Sequence, residues 1–148
     1  HRNSNLEIVY DENDRKRIYG SNVRLIVQST KNANGTISVE KMASGIDYLK
    51  AKDCARALDY NYEFKNNTLY LDGFFLTDIE QKYRDQNIEI IIKLPIDSVL
   101  FPDENTYSYH RNTSRYNDIL DNGKEEHYLK VTHKSMRCLD CPNLNKNK

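Results

Sequence analysis

"IEIIIKLPI", residues 88–96, is the stretch that decides the fold. Its large aliphatic side chains recur at every second position, at Ile88, Ile90, Ile92 and Leu94. Successive side chains of a β-strand point to opposite faces, so this period of two predicts a strand that buries one face. Pro95 ends the strand, because proline has no N–H to donate to a neighbouring strand.

The same alternation recurs along most of the chain. The clearest cases are "VRLIVQS" (23–29), "TISVEK" (36–41), "YNYEFKN" (60–66) and "TLYL" (68–71), with shorter strands expected at "LEIVY", "SVLF", "TYSYH" and "EHYLKVT". Asn66 and Asn67 suit a turn because asparagine tolerates positive φ, so residues 60–71 are expected to form a hairpin. Three aromatic side chains of this hairpin should share one face: Tyr60, Tyr62 and Phe64. The side chains predicted to be buried in the two longest strands are Val23, Leu25, Val27, Ile90, Ile92 and Leu94.

One segment, "SGIDYLKAKDCARAL" (44–58), has helical periodicity instead. Four small or apolar residues fall on one helical face, namely Ala51, Cys54, Ala55 and Leu58. Ser44 is the expected N-cap, with Asp47 three residues further on. We therefore predict a single helix at about residues 47–58.

Strands at short spacing with one inserted helix predict a mostly β domain, for which sandwich, barrel and β-solenoid are all compatible arrangements. Residues 21–141 are expected to be one domain, preceded by an N-terminal strand or linker at 1–20 that is cut from a longer protein. The polar stretch 103–126 is expected to be a long loop or a weakly paired hairpin. Residues 142–148 should be a disordered tail.

The composition of the 148 residues excludes several classes of protein. Formal net charge is zero with cations and anions interleaved, which disfavours a nucleic-acid partner. The longest apolar stretch, residues 88–96, is far shorter than the roughly 20 residues of a membrane span, so this fragment is expected to be soluble. No glycine-rich phosphate loop and no other cofactor motif is present in the sequence, and no cofactor is expected.

The Cys-x-x-Cys pair of Cys138 and Cys141 is the most prominent candidate for chemistry. A redox pair of this kind normally opens a helix, where the N-terminal dipole lowers the pKa of a thiol. Here a strand pattern precedes the pair and Pro142 follows it directly. We therefore expect either a disulfide between Cys138 and Cys141 or two free thiols in a mobile tail, and no catalytic residue.

Two alternatives stay open for this pair. One is a thiol redox protein that uses Cys138 and Cys141. The other is a metal site to which His127 and His133 would add two ligands, although their order and spacing do not match a zinc finger.

The remaining candidates are interpreted as packing or contact residues. Cys54 lies among alanines on the helical face and should be buried, since free cysteine behaves as a small hydrophobe. Three tyrosines of the polar stretch could form a binding face, because tyrosine is enriched at interfaces: Tyr107, Tyr109 and Tyr116. "KYRDQ" (82–86) is interpreted as carrying a surface ion pair that contributes little to stability.

Three pieces of the sequence resemble the C-terminal region of phage shock protein C (PspC) domain membrane proteins. They are Lys82 with Arg84-Asp85-Gln86, the strand ending in Leu94-Pro95, and the terminal Cys138-Leu139-Asp140-Cys141. The resemblance covers roughly residues 21–141. This chain departs from the pattern at Leu129, Val131 and Ser135-Met136, where that family usually has Trp, Met and Gly-Leu, and near Asp97, where glycine is usual.

The resemblance implies a toastrack-like fold, which is a short-strand β-solenoid with one inserted helix; an antiparallel β-sandwich is the alternative. It also implies a non-catalytic domain on the periplasmic side of the inner membrane, anchored by a segment absent from this chain and active in the envelope stress response. The expected partner is an unknown protein or envelope ligand. An adhesin-like structural module is a further alternative.

Overall fold

The computed structural model describes residues 6–44, 47–78, 85–109, 117–120 and 123–142. These residues form eleven β-strands and one α-helix, with a short 3-10 helix at Glu104–Ser108, so the prediction of a mostly β chain with one helix is confirmed. The elements are β1 (Leu6–Tyr10), β2 (Lys16–Gly20), β3 (Val23–Thr30), β4 (Thr36–Met42), α1 (Tyr48–Arg56), β5 (Tyr62–Lys65), β6 (Thr68–Leu71), β7 (Phe75–Asp78), β8 (Asn87–Pro95), β9 (Val99–Leu100), β10 (Leu129–Val131) and β11 (Met136–Cys138).

The strands form four small sheets. Their orders are β1-β2-β7, β5-β6, β9-β10-β11 and β3-β8-β4. The first three sheets are antiparallel. Strands β3 and β8 run in the same direction, because Ile88 N donates to Asn22 O where both strands begin and Ile96 N donates to Thr30 O where both end.

The chain divides into two compact units. Unit 1 comprises residues 1–24 and 39–89, and unit 2 comprises residues 25–38 and 90–148. In unit 1 the centre of sheet β1-β2-β7 is apolar, with Ile18 and Phe75 buried. Gly20 lies opposite Phe75 in the register, and a β-carbon at Gly20 would overlap with the Phe75 ring. Glycine at this position therefore lets the phenylalanine ring lie across the neighbouring strand.

The N-cap of helix α1 in unit 1 is three residues later than the predicted Ser44. Asp47 is the N-cap, since its carboxylate accepts a hydrogen bond of 2.9 Å from Lys50 N. The expectation of a Ser44 cap is therefore wrong, and the Ser44 hydroxyl instead bonds the Asp85 carboxylate at 3.1 Å. The predicted buried face is confirmed, with Cys54 and Leu58 both buried.

The predicted hairpin is also found, as strands β5 and β6 with Asn66 and Asn67 at φ 52° and 61°. Positive φ at both central residues is the mark of the turn type that matches strand twist. Tyr62 and Phe64 share one face of β5, as predicted, and both are exposed, whereas Tyr60, which precedes the strand, is buried. Among the described residues this sheet has only two strands, and Leu69 and Leu71, which share the face of Tyr62 and Phe64, are half-buried.

Unit 2 has a core built from both faces of β3. Leu25 and Val27 are buried as predicted, and so is Ile26, which alternation assigns to the opposite face. The segment 118–120 lies along the edge of this strand, because Ile119 N donates to Val27 O at 2.8 Å, and Ile119 and Leu120 are themselves buried. A strand covered on both faces carries a continuous apolar run.

Burial falls along β8 toward its end. Ile90 is buried as predicted, but Ile92 and Leu94 further along the strand are only half-buried, so those two predictions are wrong in degree. From Ile91 to Pro95 the side chains are half-buried, except for Lys93, which is exposed. Val23, at the start of β3, is buried as predicted.

Several other predictions concern the loops. "TYSYH" is not a strand, because Tyr107 and Ser108 belong to the 3-10 helix. Residues 110–116 and 121–122 of the polar stretch, and 143–148 of the tail, lie outside the described residues. Within the described part of the chain, no helix combines the length and apolarity that crossing a bilayer requires.

Candidate functional site

The C-terminal cysteine pair lies in unit 2, at the end of sheet β9-β10-β11. Cys138 is the last residue of β11 and pairs with Leu129 of β10. Cys138 and Cys141 form a disulfide with their Cα atoms 5.7 Å apart. Of the two expected states, a bonded pair or free thiols, the structure has the disulfide.

The sheet holds this pair in place. Three side chains of this sheet are buried: Leu129, Val131 and Met136. The backbone pairing of β10 and β11 continues one residue past β11, where Leu139 N donates to Tyr128 O at 2.8 Å. At the other end, Thr132 and Ser135 close the turn between β10 and β11 through a backbone bond of 2.8 Å. The backbone of the Cys-Leu-Asp-Cys segment is thus fixed against β10.

Asp140, between the two cysteines, gathers the polar groups of this corner. Its Oδ1 accepts a hydrogen bond of 2.9 Å from Tyr128 N and lies 3.3 Å from His127 Nδ1. The same oxygen lies 3.8 Å from Cys138 Sγ, which is a contact only, because a disulfide sulfur carries no proton. Both side chains remain partly exposed, His127 by 29% and Asp140 by 45%.

Three metal-ligating groups converge here: His127, Cys138 and Cys141. A ring nitrogen and the two sulfur atoms all lie within 4.8 Å of one another. His133, the other histidine of the metal hypothesis, is exposed and is not part of this group; its carbonyl accepts a bond from the Ser29 hydroxyl. As a disulfide the pair offers no thiolate, whereas two reduced thiols would place sulfur ligands beside an imidazole.

A second candidate surface lies on the β5-β6 hairpin of unit 1. Tyr62 and Phe64 are 46% and 66% exposed, and Tyr70 on the opposite face is 51% exposed. Asn61, Tyr62, Glu63, Tyr70 and Asp72 line a shallow cleft beside the strands. Burial raises the pKa of Asp72 above its usual 3.8, partly opposed by a hydrogen bond from Asn61 and reinforced by the charge of Asp59.

The motif "KYRDQ" has a structural role that the sequence interpretation missed. Gln86 is buried, and its Nε2 lies 3.2 Å from Cys54 O and 3.4 Å from Thr77 Oγ1. The side chain therefore joins the end of α1 to strand β7. Lys82 and Arg84, the cations of the expected surface ion pair, lie outside the described residues.

The remaining sequence candidates are placed as follows. Cys54 is a buried free thiol, as predicted. Tyr107 is 58% exposed, while Tyr109 is half-buried, with its carbonyl accepting a bond of 2.7 Å from Leu25 N. Tyr116 lies outside the described residues, so the proposed tyrosine face has one exposed member among those described.

Sequence reasoning missed two residues that connect separate parts of the fold, Asp140 and Gln86. Both lie inside short motifs noted in the sequence, and each could have been flagged by its position: an acid enclosed by two cysteines, and an amide directly before a buried strand. Their partners His127 and Cys54 are 13 and 32 residues away along the chain, which no local pattern reveals.

Comparison with known proteins gives one match. No curated protein and no solved structure matches the chain. The model of one family, described as the ToastRack found in some PspC, matches residues 9–144. Because this match spans nearly the whole sequence and includes the Cys-Leu-Asp-Cys segment, the chain belongs to the family of C-terminal ToastRack domains found in some PspC proteins.

Proposed function

We propose that this chain is a non-catalytic extracytoplasmic domain of a membrane-anchored, PspC-like envelope-stress protein, and that it acts by binding a protein partner or an envelope component. The observation that carries the proposal is the family match over residues 9–144. The placement on the periplasmic side of the inner membrane and the stress-response role follow from that kinship alone. The proposal also includes the β-solenoid arrangement typical of toastracks, for which the same-direction pairing of β3 and β8 is the supporting feature.

The β5-β6 hairpin is the surface that best supports a binding role. Residues that are paired across an antiparallel sheet share a face, so Tyr62, Phe64, Leu69 and Leu71 lie together. The opposite face carries the ion pair of Lys65 and Glu63, at 3.8 Å. The aromatic face has the composition that protein interfaces favour, since tyrosine and phenylalanine are enriched at interfaces and acidic residues are depleted.

Site-specific photo-crosslinking in cells that express the full-length protein tests this role. A crosslinking residue at Phe64 should give a discrete adduct, because its side chain would be covered by the partner. The same residue at Glu40, an exposed position of strand β4 that does not line the cleft, is the control and should give none. Equal adducts at both positions, or none at Phe64, would contradict binding through this face.

A stress reporter and a topology reporter separate the proposal from its rivals. A reporter enzyme that is active only in the periplasm, fused after residue 148, should be active, and one that is active only in the cytoplasm should not. Phe64→Ser in the full-length protein should weaken induction of an envelope-stress promoter while the protein remains folded and abundant. An adhesin-like module would instead lose surface or cell attachment and leave the promoter unchanged.

A further inference from the structure

We propose that the C-terminal corner of unit 2 is a redox-gated zinc site formed by His127, Cys138 and Cys141, with Asp140 as the residue that positions the histidine. The inference rests on the geometry around β10 and β11 and is independent of the binding role of the hairpin. As a disulfide the corner takes no metal; as a dithiol it binds one Zn²⁺.

The donor set has the composition that zinc prefers. Thiolate sulfur and imidazole nitrogen are its usual protein ligands, and two cysteines separated by two residues are a common ligand pair. In a tetrahedral site with Zn–S of about 2.3 Å and Zn–N of about 2.0 Å, neighbouring donor atoms are about 3.3–3.8 Å apart. The donors here already lie within 4.8 Å of one another. Opening the disulfide separates the two sulfur atoms toward that spacing, so only small shifts are needed.

The second observation is the placement of Asp140. Metal-binding histidines usually give their other ring nitrogen to a carboxylate or carbonyl, which fixes the orientation of the ring. Asp140 Oδ1 stands 3.3 Å from His127 Nδ1 and is itself fixed by Tyr128 N. The orienting group is thus present whether or not a metal is bound.

Accessibility of the corner is also suitable. Cys138 and Cys141 are half-buried and His127 is 29% exposed, so both a reductant and a hydrated ion can reach the donors. Cys54 is buried in unit 1 and is not part of the group.

The redox step balances with a dithiol as reductant. The reductant transfers two electrons and two protons to the Cys138–Cys141 bond, which gives two protein thiols and the disulfide of the reductant. Zn²⁺ then binds the two sulfur atoms, and the two thiol protons go to solvent. Because zinc binds only the dithiol, it should shift the disulfide equilibrium toward reduction.

The test is zinc titration of the 148-residue chain, reduced with a phosphine and then freed of it, against the air-oxidised chain. A metallochromic chelator reports binding, and Co²⁺ in place of zinc reports sulfur ligation through its charge-transfer band. We expect one equivalent bound by the reduced chain and none by the oxidised one.

Variants locate the site, with circular dichroism as the check that each is folded. His127→Ala and Cys138→Ser should abolish stoichiometric binding, and Asp140→Asn should weaken it by about 10–100-fold, as loss of an orienting partner does. His133→Ala is the matched control, since this exposed histidine is close in sequence but outside the group, and it should bind as the parent does.

Three results would overturn the proposal. They are a reduced chain that binds no zinc, binding that survives in His127→Ala, and binding that is lost in Cys54→Ala while Cys138 and Cys141 are intact. Failure of the hairpin crosslinking would not affect these outcomes, and a negative zinc titration would leave the hairpin result as it stands.

Discussion

Gln86 Nε2 lies 3.2 Å from the carbonyl oxygen of Cys54, so a side chain next to strand β8 caps the end of helix α1. The bond is buried, and Thr77 Oγ1 at 3.4 Å accepts from the same nitrogen. The last carbonyls of a helix have no partner within it, and a buried one that lost its donor would cost free energy. One amide therefore connects three elements of unit 1.

Replacing this amide should loosen the helix. Gln86→Leu leaves Cys54 O without a donor, and we expect the free energy of unfolding to fall by about 1–3 kcal/mol. Cys54 should also react faster with an alkylating reagent under native conditions, whereas in the parent it should react only after denaturation. Asn34→Ala, a truncated amide on an exposed loop, is the control. Unchanged labelling of Cys54 in Gln86→Leu would contradict this role.

Two truncations compare a buried and a half-buried side chain of unit 2. Leu25→Ala should cost about 2–5 kcal/mol, because its side chain is 5% exposed and a cavity would remain. Ile92→Ala should cost clearly less, since Ile92 is only half-buried and lost less contact with water on folding. Chemical denaturation at equilibrium measures both values. An equal or larger loss for Ile92→Ala would contradict the conclusion that Ile92 is less buried than Leu25.

The carboxylate of Asp11 should make stability depend on pH. The backbone N–H of Arg15, at 2.9 Å, lowers the pKa of Asp11 below 3.8, with Asn13 N and the Arg15 and Arg17 guanidinium groups adding to the effect. A lowered pKa means that the folded state binds fewer protons than the unfolded one. The stabilisation is therefore complete above about pH 4 and is lost as pH falls through the folded pKa.

Asp11→Asn tests this dependence. The variant should be less stable than the parent at neutral pH. The difference should shrink as the pH falls below about 4 and on through the lowered folded pKa, where the parent carboxylate becomes protonated too. Glu12→Gln removes the same charge from an exposed neighbour and controls for net charge. A difference between parent and Asp11→Asn that stayed constant from pH 7 to pH 2 would argue against a lowered pKa.

Asp97 has a backbone conformation that favours glycine. Its φ is 79°, a conformation that costs an L-residue roughly 1–2 kcal/mol and costs glycine nothing. Glycine also stabilises the unfolded state by about 0.4–1 kcal/mol, because it gives the unfolded chain more conformational freedom. Asp97→Gly should therefore raise the free energy of unfolding by about 0.5–1 kcal/mol net. The ion pair lost with Lys130 is exposed and contributes little.

Asp97→Ala separates the backbone effect from the side chain. Alanine removes the carboxylate but keeps the strained φ, so this variant should be no more stable than the parent. Thermal unfolding of the three proteins under the same conditions measures the order. If alanine stabilised as much as glycine, the gain would come from losing the charge and not from the backbone.

The sequence by itself determined the local elements. Alternation located strands β3, β4 and β8, helical spacing located α1 with Cys54 inward, and the Asn66–Asn67 pair located the hairpin turn. These features depend on residues within a few positions of one another, so the sequence contains all the information they need. The Cys-x-x-Cys pair is visible in the sequence, but its disulfide depends on the chain bending after β11, because residues three positions apart in an extended strand are about 10 Å apart, too far for a disulfide.

Only the tertiary structure decided which faces are covered and which distant groups meet. Alternation divides the side chains of a strand into two faces, but burial depends on what packs against each face, and on β3 Ile26 is buried together with Leu25 and Val27. Phe64 alternates in the same way and yet is exposed. The approach of His127 to Cys138 and Cys141 depends on the register of β10 and β11, and that of Gln86 to Cys54 depends on where helix α1 lies. Register is a property of paired strands, and a single stretch of sequence cannot specify it.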